Sequence, residues 1–275
     1  MYFVCLADFL LSQKTVGVTM IEIIPNTQEL EAYTALAEQY SLGFEYNDFF
    51  DPQLLDDPAG LEERIKIYQS LGRPKGLDTL HGAFYDLVPF SWDDGIRRHS
   101  LYRMQQSVEI AGRLGCRAVI FHAGLNPKFM KGKRYYSNWL ECMTDAMSGL
   151  LAQDRSLEIY CENVLETTPE PLRELAERLE GEKRFGVCVD VAHMMLAKGD
   201  PDQWFQTLSP YIRHFHLNDN HLETDDHFAL GKGSIDWRLV FSGMKRHGLG
   251  DVSRLLEING LEKIRESLDF LEKME

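Results

Sequence analysis

Six segments of this chain each carry a residue able to bind a metal ion, at or near the end of a short apolar run. They are His81 in LHGAF, His122 in FHAG, Glu162 in CENV, Asp190 in CVDVAH, His216 in HFHLND and Glu257 in LLEIN. Imidazoles mixed with carboxylates suit Zn or Mn better than Mg, which prefers oxygen donors and keeps its waters. A carboxylate inside an apolar segment costs several kcal/mol unless it is paired or bound to a cation. Taken singly, each residue reads as an ordinary structural histidine or a rim carboxylate. Six in succession predict a divalent metal site. Three more candidates lie close by: His193, three residues after Asp190, and Asp225 and His227, two apart, just before Leu230-Gly231-Lys232-Gly233.

Such residues act together only if the elements that carry them converge. The β-type runs are Thr19–Ile24, Gly43–Tyr46, Leu77–His81, Ala118–His122, Leu157–Glu162, Phe185–Val191, Ile212–Leu217 and Arg254–Ile258. They are apolar without clean alternation, as in a parallel sheet covered on both faces. Between them lie stretches with apolar residues at three- and four-residue spacing, such as Leu30–Tyr40, Leu101–Leu114, Leu172–Leu179 and Leu261–Met274. Gly72, Gly115, Gly181 and Gly248 stand where helices should end. Eight strands alternating with helices over about 250 residues is the count of a single (β/α)8 TIM barrel, whose strand C-termini share one mouth. An open doubly wound sheet is the competitor, but no Gly-rich phosphate turn follows the first strand. Two polar stretches, Asn126–Asn138 (basic) and Asn218–Gly233, read as loops.

Composition bounds the rest. The chain has 275 residues, 44% of them hydrophobic, which excludes a mostly disordered polypeptide. Its 29 Lys and Arg against 43 Asp and Glu give a net charge of −14, which argues against a dedicated nucleic-acid binder. No apolar run reaches the roughly 18 residues of a membrane span. The five cysteines, Cys5, Cys116, Cys142, Cys161 and Cys188, show no CxxC pair, so a reducing compartment is expected, and Cys161 and Cys188 read as buried structural thiols. With no clear signal peptide, a cytoplasmic location is expected. Residues 1–19 read as an extension of uncertain status, because Met20-Ile-Glu-Ile-Ile-Pro25 makes a cleaner first strand.

The segments ENV, VDVAH, HFHLND and LEI, in that order, resemble the xylose isomerase-like barrel superfamily over about residues 20–275. That superfamily joins sugar and sugar-phosphate isomerases and epimerases with the endonuclease IV group of apurinic-site nucleases. In its epimerases, the resemblance implies one metal held by Glu162, Asp190, His216 and Glu257, the two glutamates serving as acid and base. In its nucleases it implies three zinc ions held by His81, His122, Glu162, Asp190, His193, His216, Asp225, His227 and Glu257, and all nine match in type and order. The run DDHFALGKG is close to the nuclease pattern, whereas epimerases more often place an arginine there. Val164-Leu165-Glu166-Thr167-Thr168 departs from the small, Gly-rich run of the nucleases, and their histidine-bearing first strand is absent from Met20–Asn26.

Two functions follow. The first is a metal-dependent sugar or sugar-phosphate isomerase/epimerase. There Glu162 and Glu257 exchange a carbon-bound proton, His193 orients the substrate, and one divalent ion stabilises an enediolate. The alternative is a multinuclear zinc phosphoester hydrolase, and only there is nucleic acid an expected partner. One to three Zn or Mn ions are the expected cofactor. A metal-stabilised scaffold is disfavoured, since structural zinc sites are closed and Cys-rich. Lys232 and Glu45 are candidate substrate contacts, with Tyr46 also lining the cavity. Phe84, Tyr85, Trp204 and Trp237 could stack on a ligand or fill the core. The turn at Asn259-Gly260 could hold an anion or merely cap a helix. His99, His221 and His247 are left outside the site. So is His214, read as alternating away from His216 and facing the helix layer.

Overall fold

The computed structural model describes residues 19–129 and 133–274. The proposed extension lies outside the described residues except for Thr19, whose hydroxyl donates to the Gly250 carbonyl at 2.8 Å. Eight parallel strands close into a barrel: β1 Ile21–Ile23, β2 Gly43–Tyr46, β3 Thr79–His81, β4 Ala118–His122, β5 Glu158–Glu162, β6 Phe185–Asp190, β7 Ile212–Leu217 and β8 Ser253–Leu256. Each strand pairs with the next and β8 pairs with β1, so no edge is left open. The eight expected strands are all present, with several ends trimmed by one or two residues.

Helices separate the strands, and many begin at an aspartate that accepts a backbone N–H of the first turn. Asp51, Asp57, Asp93, Asp190, Asp200 and Asp236 all do so. One expected loop is partly wrong. A helix runs over Lys133–Gln153, so the basic stretch after Asn126 is helical from Lys133 onward. The helix's apolar face, which includes Trp139, Met143, Met147 and Leu150, outweighs the local polarity that suggested a loop.

Apolar packing falls into two clusters. The large one lies between strands and helices; a small one of Ala118, Ile120, Tyr160 and Cys188 sits apart from it. Inside the barrel, that small cluster shares the space with buried Glu22, Glu45, Thr79, His214 and His216. A barrel lumen is ordinarily filled by branched aliphatic residues. Here its polar content needs partners.

Cys116, Cys161 and Cys188 are buried and free, and Cys142 is free and half-buried. Among the described residues no helix is long and apolar enough to cross a membrane.

Candidate metal centre

Strand register brings the candidate ligands to one level. His122 lies opposite Glu162 across β4 and β5, and Asp190 lies opposite His216 across β6 and β7. Glu257 follows β8 directly, its N–H donating to the Leu217 carbonyl at 3.0 Å. Asp190 ends β6 and caps the helix Val191–Leu196, accepting the His193 N–H at 2.6 Å, which sets His193 beside it.

The loop after β7 folds back through a bridge between Asp219 and Phe228. Buried Asp219 gathers it, accepting from the N–H groups of Gly231 at 2.8 Å and Ile235 at 3.2 Å and from the Trp237 indole at 2.9 Å. A Cβ at Gly233 would sit 2.3 Å from both the Asn220 carbonyl and an Asp219 carboxylate oxygen, so only glycine fits. The Gly231-Lys232-Gly233 turn therefore serves packing. Lys232 itself is exposed and faces Glu266 at 3.4 Å.

All nine candidates form one network. Glu162 is its hub: its Oε2 lies 3.3 Å from His81 Nε2 and 3.6 Å from His122 Nε2, and its Oε1 lies 3.3 Å from His216 Nδ1 and 3.6 Å from His193 Nδ1. Glu257 Oε2 approaches His216 Nδ1 at 3.5 Å. Asp225 Oδ2 sits between two histidines, 3.2 Å from His193 Nε2 and 3.1 Å from His227 Nε2.

The ring orientations follow a rule. Nδ1 of His81 donates to the Gly82 carbonyl at 2.9 Å, Nδ1 of His193 to the Asn163 carbonyl at 3.0 Å, and Nδ1 of His227 to the Glu257 carbonyl at 2.7 Å. A carbonyl only accepts, so in each ring Nδ1 carries the hydrogen and Nε2 turns to a carboxylate. Phe84 stacks on His122 with ring centroids 4.8 Å apart.

Charge is distributed unevenly in this network. Burial opposes ionisation of Glu162, but the charges of His216 and His122 win and hold its carboxyl well below the usual range. Burial lifts Asp190 to about 7 and lowers His122 to about 4. His227 rises to about 9 against its burial, through its bond to Asp225 and the Glu257 charge.

Glu162, Asp190, His216 and Glu257 offer four donor atoms within 4.8 Å of one another, and His81, Glu162 and His216 offer three. Glu162 Oε1, His216 Nδ1 and Glu257 Oε2 are buried and make no hydrogen bond. Buried polar atoms are rarely left so. These three converge without satisfying one another, so the donor set fits a divalent cation.

The other expected site residues lie elsewhere. Glu45 is fully buried inside the barrel beneath the ligands, in contact with His214 and His216. Tyr46 faces away from the cavity, its hydroxyl donating to Asp78 at 2.8 Å. Trp204 and Trp237 are core residues, and Tyr85 is exposed. Gly260 N–H is taken by the Tyr33 hydroxyl at 3.1 Å.

His214 overturns its expectation: it is completely buried, its Nε2 3.5 Å from Glu45 Oε2. Side chains two apart on a strand share a face, so His214 and His216 both point inward. Phe215 between them packs outward on Phe205 with centroids 5.7 Å apart.

Three supporting residues were not among the expected site residues. Asn163 exchanges hydrogen bonds with the Asp190 backbone at 2.9 and 3.0 Å. Glu166 accepts the N–H groups of Leu125 at 2.7 Å and Val164 at 2.8 Å, tying two mouth loops together. Asp219 anchors the loop that brings in Asp225.

Comparison with known proteins agrees with this architecture. The family model described as Xylose isomerase-like TIM barrel matches residues 36–274. The chain belongs to that family. An uncharacterized protein of Methanocaldococcus jannaschii is 28% identical over 185 residues, 63% of this chain and 62% of that protein. A protein of Campylobacter curvus named "Probable endonuclease 4" is 25% identical over 187 residues, 60% of this chain and 65% of that protein. The aligned stretches thus span less than two thirds of these two relatives.

Among solved structures, a D-tagatose 3-epimerase-like protein superposes with a TM-score of 0.74 at 20% identity, covering 93% of this chain and 97% of that one. A Thermus thermophilus protein soaked with ZnCl2 gives 0.73 at 24%, covering 94% and 98%. Both share the fold of this family member. The structural neighbours also include an L-ribulose 3-epimerase and an endonuclease IV of Thermus thermophilus.

Proposed function

We propose that this xylose isomerase-like barrel is a multinuclear metal-dependent hydrolase acting on phosphoesters. One observation carries the choice: Asp225 points into the site, 3.2 Å from His193 and 3.1 Å from His227. A site for one ion would need only the group around Glu162 and Asp190. The nine side chains divide by contact into three overlapping groups: His81 and His122 on Glu162 Oε2; Asp190, His216 and Glu257 around Glu162 Oε1; His193 and His227 on Asp225.

Divalent ions held by these nine residues would supply Lewis acidity toward water and phosphate oxygens. The chain's own residues fix those groups in place. Carbonyl-anchored Nδ1 atoms aim His81, His193 and His227, and the Asn163 clasp holds Asp190. Glu257 is the most solvent-accessible carboxylate of its group. Phe84, lying flat on His122, limits water on that side. The net charge of −14 disfavours a long nucleic-acid backbone, so small phosphoesters are the first substrates to test.

The four-donor group of Glu162, Asp190, His216 and Glu257 also supports a second reading, a one-metal sugar or sugar-phosphate epimerase. Glu162 and Glu257 face each other across His216 in a way that suits acid and base. Elemental mass spectrometry on protein purified without chelator or affinity metal separates the two. Two or three Zn or Mn ions per chain, with His122→Ala losing one of them, is the expected result. About one ion, unchanged in His122→Ala, favours the epimerase. None after reconstitution overturns both.

A further inference from the structure

Three of the site's histidines have the nitrogen opposite the ligand cluster tied to a backbone carbonyl, but His216 is turned the other way. Its Nδ1 faces Glu162 and Glu257, and its Nε2 looks down into the barrel. There Glu45 Oε1 lies 3.3 Å away, and both atoms are buried and make no hydrogen bond. Glu45 Oε2 lies 2.8 Å from the Thr79 hydroxyl and 3.5 Å from His214 Nε2. His214 is fixed in turn. The Ser253 hydroxyl spends its single hydrogen on the Arg213 carbonyl at 3.1 Å, so it can only accept from His214 Nδ1 at 2.7 Å. Glu45, Thr79, His214 and His216 are fully shielded from water. Glu45 therefore cannot touch a substrate.

We infer that Glu45 is the positioning residue of the metal centre, its carboxylate holding the Nε2 hydrogen of His216 so that the Nδ1 lone pair faces the ligand group. This deepens the proposed metal-dependent function and rests on it. Carboxylates that accept from the outer nitrogen of a ligating histidine fix the tautomer and raise ligand basicity. A carbonyl fixes the tautomer with less charge, so His216 becomes the most electron-rich imidazole of the set.

The test uses the full-length protein and zinc alone, with Glu45→Gln as the variant. Competition against a chromogenic chelator should show zinc affinity weakened by roughly 10–100-fold at one of the wild-type sites. Nitrogen-15 ring spectra of the zinc-loaded wild type should place the His216 hydrogen on Nε2, in slow exchange with water, and that protection should be lost in Glu45→Gln.

Wild-type protein that takes up zinc while Glu45→Gln matches it in affinity and exchange overturns this inference alone. So does a His216 hydrogen found on Nδ1 in loaded wild type, a result that needs no variant to fold. Wild-type protein that takes up no zinc overturns both this inference and the function it rests on.

Discussion

The barrel interior has two polar levels, and they are finished differently. At the mouth, Glu162, Asp190, His216 and Glu257 crowd together with buried donor atoms left unpaired. Toward the opposite end, Glu22 is equally buried, yet it is closed by its own chain. Its Oε2 accepts the Thr79 hydroxyl at 2.5 Å, and its Oε1 pairs with the Arg117 guanidinium. Asp78 nearby is clasped by Arg73 through two bonds of 2.7 and 2.8 Å and accepts the Phe44 N–H at 2.9 Å. Around Glu22 and Asp78 the lower level is closed by the chain's own hydrogen bonds. The upper level is incomplete on its own, as expected where the missing partner is a cation. The His216 ring joins the two.

Breaking each level should therefore do different damage. The largest effect is expected at the hub. Glu162→Gln removes the carboxylate shared by four histidines, so more than one ion should be lost. Activity should drop by more than the roughly 10–100-fold that an outer partner costs. The metal-free variant should stay folded, because a buried charge has been removed. Elemental analysis and thermal unfolding check both halves. An unfolded Glu162→Gln protein would erase the distinction between the levels.

Arg117→Met attacks the lower level. It strands the buried Glu22 carboxylate, and breaking such a pair costs about 3–5 kcal/mol. Denaturant unfolding should show that loss while metal content per folded chain stays unchanged. A fall in metal content instead would mean that the lower level also shapes the site.

Proton competition sharpens the same contrast. In the metal-free protein His227 is raised to about 9, from about 6.5 when unfolded. A raised histidine stabilises the fold below the unfolded value, and that contribution is lost as pH climbs toward 9. Asp190, lifted to about 7 by burial, likewise favours the metal-free fold in acid and stops doing so as pH rises through 7. Metal uptake requires both groups to lose their protons. Between pH 6.5 and 9, the melting temperature of metal-free protein should fall while zinc affinity rises. Differential scanning fluorimetry and chelator competition over one pH series measure the two trends, and parallel trends would break the assignment of His227 as a ligand.

Much of the upper level was legible in the sequence, and little of the lower. Strand-end ligands show because His, Asp and Glu stand out against apolar runs, and the barrel forces successive strand ends together. Glu22 and Arg117 lie 95 positions apart, and no local pattern links them. The expectation for His214 misapplied strand periodicity, since residues two apart point the same way. Glu45 reads as a substrate contact because β2 ends near the mouth. The closed barrel instead lays its side chain under His216. Asp219 closes the HFHLND segment, but its role stays hidden because it receives backbone N–H groups from a loop that sequence alone leaves shapeless.

The smallest effect is expected at the rim. Between two glycines, Lys232 reads in the sequence as suited to an anion. The structure gives those glycines another purpose, closing the turn on Asp219 and Phe270. Lys232 Nζ faces Glu266 at 3.4 Å with both side chains largely in water. An exposed pair of this kind adds almost nothing to stability. Lys232→Ala should therefore leave the melting temperature, the metal content and kcat unchanged. The informative quantity is KM. If a phosphorylated substrate is recognised at the metal centre alone, KM should also stay constant and show no new salt dependence. A KM that rises on Lys232→Ala and converges with wild type at high salt would mean that the mouth reaches out to the substrate with a rim charge, and that the site extends beyond the nine ligands.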